Sequence, residues 1–116
     1  MGNNVNAFER CGATILVAAD ATAPTGAPTT SVGMSGIIEF RLYNAGAATV
    51  FYAHGSTAAE ATANAAIPTG SGGSAKNASP IGAGSTEVVS APRDSYWSGI
   101  TAALACSLYV TPGKGI

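Results

Sequence analysis

Leu104-Ala105-Cys106-Ser107-Leu108-Tyr109-Val110-Thr111 carries the most regular alternation in the chain. A period of two belongs to a strand with one face in a core and the other in water. Leu104, Cys106, Leu108 and Val110 take the inward face, and Tyr109 points out. Pro112-Gly113 follows, and because proline has no amide proton for a ladder, the strand is predicted to stop there.

The same reading extends upstream. Residues 96–101 form the first arm of a hairpin that turns at Ala102-Ala103, and residues 86–91, with Val88 and Val89 between Pro80 and Pro92, form another strand. Residues 37–43 place Ile38, Phe40 and Leu42 on one face and Glu39, Arg41 and Tyr43 on the other. After the turn signal Asn44-Ala45-Gly46-Ala47, residues 48–54 resume a strand, which predicts a second hairpin. The apolar run within residues 14–19 is too short for a helix and rich in β-branched residues. Thr57-Ala58-Ala59-Glu60 has the spacing of a capping box, in which the threonine oxygen accepts from an early helix amide and the glutamate reaches back to the cap amide. A short alanine helix over 58–66 follows, closed by Pro68.

Six strands, one helix and Gly/Pro-rich turns predict a mainly β protein: a small antiparallel β-sandwich, jelly-roll-like, with one short helix. Residues 1–116 read as one domain, with a long loop or arm at 20–36 and a flexible Gly/Ser loop at 69–80. Of the 116 residues, 47% are apolar, but 24 are alanine, which leaves 30 larger apolar side chains for a core. Charged residues make up 9% and the net charge is −1. That composition excludes a charge-extended disordered tail and a polyanion binder driven by net charge.

No segment reads as an export signal or a membrane span, since residues 1–6 lack a basic start and the apolar run 15–19 is far too short. Gly2 fails the myristoylation pattern at Asn6. The triplet Asn77-Ala78-Ser79 has the form of a glycosylation site, which only an exported chain would use. Cys11 and Cys106 stand 95 positions apart, outside zinc or redox spacings. They read either as two buried thiols or as one bridge joining the ends of the fold.

Site chemistry is sparse. Residues 70–77 approach a phosphate loop but carry Ala75 and Asn77 where glycine and Ser/Thr are needed, and no helix follows. His54 is the single histidine, so a nucleophilic triad would have to use it with Ser56 and Asp20 or Asp94, and no nucleophile-elbow sequence occurs. No metal-ligand spacing is present, so neither a metal nor a cofactor is expected. Arg10, Arg41, Lys76, Arg93 and Lys114 are scattered, without the aromatic interleaving of a nucleic-acid surface. Tyr96-Trp97 reads either as core or as a platform for stacking a sugar.

A free small domain usually stays soluble through many surface charges. A surface of Ala, Gly, Ser and Thr with outward Tyr43, Tyr52 or Tyr109 suits a permanent assembly instead, and favours a structural role over an enzyme. Tyr43-Asn44-Ala45-Gly46, the stretch 50–56 leading to the alanine helix and Ile67-Pro68, and 96–100 with 108–113 resemble small virion structural proteins of tailed bacteriophages. The likeness, over residues 40–116, is to jelly-roll capsid decoration, or cement, proteins. It implies a homo-oligomer, dimer or trimer, synthesised in the host cytoplasm and bound to the outer capsid surface, where it bridges neighbouring major capsid proteins, without nucleic-acid or membrane partners. The contact residues expected on this basis are Tyr43, Tyr52, His54, Arg93 and Tyr109. A tail, fibre or head-tail component, or a sugar- or host-surface-binding module, are the alternatives.

Overall fold

The computed structural model describes residues 8–69 and 78–115. In chain order the elements are β1 (Phe8–Arg10), β2 (Ile15–Ala19), β3 (Ala27–Pro28), β4 (Ile37–Asn44), β5 (Val50–Gly55), α1 (Ala58–Asn64), β6 (Ser79–Ile81), β7 (Thr86–Pro92), β8 (Tyr96–Ile100) and β9 (Cys106–Gly115). All strand pairs are antiparallel, and they nest: β2 pairs with β9, β3 with β8, β4 with β7 and β5 with β6. Two further pairings, β4 with β9 and β5 with β8, close the strands into two sheets. One sheet runs β1-β9-β4-β7, with β2 beside β1 on the same flank of β9, and the other runs β3-β8-β5-β6. From β2 onward every connection except that from β5 to β6 passes from one sheet to the other. Eight strands wound in this nested order are a jelly roll, as the sequence predicted, with β1 added at the edge.

The two expected hairpins are absent, because β4 and β5 lie in opposite sheets, as do β8 and β9. Alternation reveals which face of a strand is buried, but leaves its hydrogen-bonding neighbour open. The inward faces meet across the core instead of lying side by side. Phe40 of β4 packs its ring 4.9 Å from that of Trp97 on β8, and Val17, Leu42, Val50, Ile81, Leu108 and Val110 fill the space around them. Trp97 is fully buried, which removes it as a sugar platform.

Several local expectations are corrected. Leu104 is exposed, not inward. The Thr101 hydroxyl donates to its carbonyl at 2.5 Å and closes a turn, so alternation starts at Cys106. β9 also runs through Pro112 to Gly115. The Pro112 carbonyl accepts from the Cys11 amide at 2.9 Å, which turns that residue's nitrogen toward the gap between β1 and β2, where no ladder bond is lost. Residues 20–36 run mostly as loop, held down along their length: they contain the two-residue β3, the Thr29 amide and hydroxyl both donate to the Ser95 carbonyl, and the Gly26 amide donates to the Thr62 hydroxyl. Of the expected loop at 69–80, residues 70–77 lie outside the described residues, and so do the phosphate-loop candidate and the start of the glycosylation triplet. Ser79 and Pro80 belong to β6, at a sheet edge where proline is tolerated.

The helix ends at Asn64, two residues short of the reading. Thr57 caps it by accepting from the Glu60 amide at 3.1 Å, but the Glu60 carboxylate takes the amide of Ser56, one residue before the cap, at 2.6 Å. Its small residues let it lie directly on the sheet: a side chain added at Gly55 would stand 2.7 Å from the Ala61 nitrogen. Both cysteines are free thiols, with Cys106 buried and Cys11 half-buried.

Candidate functional site

The residues singled out from the sequence divide into three places. Alternation along β4 turns Ile37, Glu39, Arg41 and Tyr43 away from the core, while Ile38, Phe40, Leu42 and Asn44 are buried. Register then builds rows across the sheet. Tyr43 stands opposite Tyr109 on one side and Thr86 on the other, and Tyr109 stands opposite Leu16. The two tyrosine rings stack at 6.4 Å with an interplanar angle of 16°. In the next row Arg41 lies between Thr111 and Val88, and in the next Glu39 lies between Gly113 and Ser90. Phe8 covers Gly113, where an added side chain would stand 2.5 Å from its ring, and the Arg41 guanidinium sits 5.0 Å above the same ring. Leu16, Ile37, Tyr43, Val88 and Tyr109 are all exposed large apolar or aromatic side chains on this one face.

Tyr52 does not belong to this surface. It is 7% exposed in the core beside Trp97, and its hydroxyl donates to the Glu87 carboxylate at 3.2 Å. Burial, and then the Glu87 charge, push its pKa up to about 12.

His54 and Arg93 line a cleft of about 440 Å³ with Ser56, Glu60, Asn64 and Asp94. The His54 ring packs 5.2 Å from Trp97. Burial lowers its pKa below the ordinary imidazole value, against the opposing pull of Glu60. The Glu60 carboxyl is itself held below its ordinary range by hydrogen bonds from the Ser56 amide and hydroxyl. Asp94, at φ 60°, is occupied on both oxygens, by the Arg93 Nε at 3.1 Å and by the Ser31 amide at 3.2 Å. The cleft thus gathers His54, Ser56 and Asp94, but among the described residues no hydrogen bond links the histidine ring to either. Nor do the described residues contain a group of three or more metal-ligating side chains.

The registered outer face of the β4-containing sheet is therefore the stronger candidate, as a surface for contact. Tyr43 and Tyr109 were legible on it, whereas Leu16, Ile37, Val88 and Phe8 were not. Ile15-Leu16-Val17 and Val88-Val89 are apolar at consecutive positions, so they carry no alternation from which to tell the outward member. Comparison of the chain with protein-family models, with curated proteins and with solved structures finds no match.

Proposed function

We propose that this chain is a virion structural protein, a capsid decoration or cement protein that stabilises a phage head by bridging major capsid proteins. The observation that carries the reading is the row Leu16, Tyr109 and Tyr43, with Val88 beside it, left uncovered on a small jelly roll. Exposed apolar patches of this kind mark sites of association, and tyrosine is enriched in interface cores while Lys, Glu and Asp are depleted there. The fold recurs in capsid, lectin and cupin domains, so the function is argued from the surface. With 9% charged residues the chain has little electrostatic self-repulsion to keep copies apart. The resemblance over residues 40–116 to jelly-roll decoration proteins points the same way.

Electron microscopy of native particles, with quantitative mass spectrometry of their proteins, tests this. A cement protein occupies many symmetric sites on the outside of the head. A few copies confined to the tail would replace the reading with a tail or fibre component, and absence from the particle would end it.

A further inference from the structure

We propose that the outer face of the β4-containing sheet is a two-fold interface with a second copy of this chain, its axis crossing β4 at Phe40. Each copy's Glu39 then meets the partner's Arg41. The inference rests on reading this face as an assembly contact, though not on which particle the protein serves.

Exposed apolar surface is concentrated here. Among the described residues, the large apolar or aromatic side chains that stand exposed are Leu16, Ile37, Tyr43, Val88 and Tyr109 on this face, and elsewhere Val32 and Leu104. Two charges interrupt the apolar surface, Glu39 and Arg41, and among the described residues neither makes an ion pair, since the two salt bridges are Arg93–Asp94 and Lys114–Glu9. The outward side chains of β4 thus read apolar, acid, base, apolar: Ile37, Glu39, Arg41, Tyr43.

That order is its own complement when reversed. A closed two-fold contact requires that where residue i meets residue j, j also meets i. An axis lying in the interface and crossing the strands at Phe40 lays β4 antiparallel over the partner's β4. Ile37 then comes to Tyr43, and Glu39 to Arg41, twice. The other in-plane axis, along the strands, brings Glu39 level with Glu39 and Arg41 level with Arg41, and like charges facing each other cost several kcal/mol. Away from β4, the same operation brings the Leu16 end of the flank toward the partner's Phe8 end, because Leu16 stands opposite Tyr109 and Phe8 opposite Gly115 on β9. Arg10, also on this face, sits on the β1 edge, at the rim.

The area suffices. Four strands at roughly 4.8 Å spacing by eight residues at about 3.4 Å give a face of some 500 Å², or about 1,000 Å² for the pair, the size at which a specific interface begins. A dimer of this kind also presents two identical copies of the rest of the surface, which is what bridging two neighbouring subunits demands.

Sedimentation equilibrium of the purified chain, with circular dichroism to confirm folding, tests the proposal. The unmodified protein is expected at twice 11.3 kDa. Glu39→Arg and Arg41→Glu, each alone, place like charges across the axis and weaken the dimer by about tenfold or more, tenfold being about 1.4 kcal/mol. The two variants mixed in equal amounts satisfy both charge contacts and recover a dimer, as does the double exchange in one chain. Ile37→Glu provides an independent check at an exposed position, and is expected to weaken the dimer as well. A monomeric unmodified chain, or a mixture no tighter than its components, overturns the proposal. A monomer that still coats particles would leave the cement reading standing, and a dimer with this charge pattern that is absent from particles would do the reverse.

Discussion

Tyr52 joins the two sheets through one hydrogen bond, from a hydroxyl on β5 to the Glu87 carboxylate on β7. Its pKa, raised by burial and by the Glu87 charge from 10.0 to about 12, makes it a probe of the closed sandwich. Below pH 10 the tyrosine is protonated whether the chain is folded or not, and it contributes no pH dependence. Between 10 and about 12 the unfolded chain has released a proton that the folded protein keeps. Stability therefore falls as pH rises through that window, by up to about 1.4 kcal/mol per unit. Urea unfolding across the window should show this loss in the unmodified chain and a shallower one in Tyr52→Phe. Equal slopes would place the hydroxyl outside the core. The burial of Tyr52 was not legible in the sequence, because residues 50–53 are apolar or aromatic throughout and α1 covers part of what would be the wet side of β5.

At the scale of elements, β9 offers the sharpest test of register. Leu108 is fully buried, whereas its neighbour Tyr109 is 38% exposed and stacks on Tyr43. Leu108→Ala should cost about 2 to 5 kcal/mol, the range for deleting a buried leucine side chain. Tyr109→Ala should cost about 1 kcal/mol or less in folding, because it loses mainly a surface ring pair. Chemical denaturation of both variants checks this, and equal losses would contradict the assignment of faces. Alternation made β4 and β9 legible, the β-branched pair Val88-Val89 between Pro80 and Pro92 made β7 legible, and the Thr57 cap made α1 legible. By contrast β1, β3 and β6 have three residues or fewer and owe their form to partners distant in sequence, as when β3 pairs Ala27 with Trp97. A segment of that length carries no period of its own.

Over the whole molecule, 43 × 30 × 26 Å in extent, the class of fold was legible and the order of strands was not. Short strands, Gly/Pro turns and wet faces require two antiparallel layers. The nested pairing that sends nearly every connection across the sandwich is decided by which inward faces fit together, as Phe40 fits Trp97. The candidate surface was half legible for a related reason. Tyr43 and Tyr109 sit in alternating strands, while the match of Glu39 and Arg41 to a two-fold copy emerges only once register aligns the rows.

The central claim is that this chain holds its place in an assembly by buried apolar area and not by net charge. Ion pairs enclosed in such a contact are screened much less than exposed ones, and at 1 M salt the Debye length has fallen to about 3 Å. A contact that depended on neutralising phosphates would instead weaken with a log-log slope of about −0.9 per phosphate. The most direct measurement is the fraction of this protein that sediments with purified particles across a salt series. The account predicts retention from low salt to about 1 M, with release by mild denaturant while the shell stays intact. Release by moderate salt would contradict it, and would assign attachment to the basic side chains Arg93, Lys76 and Lys114.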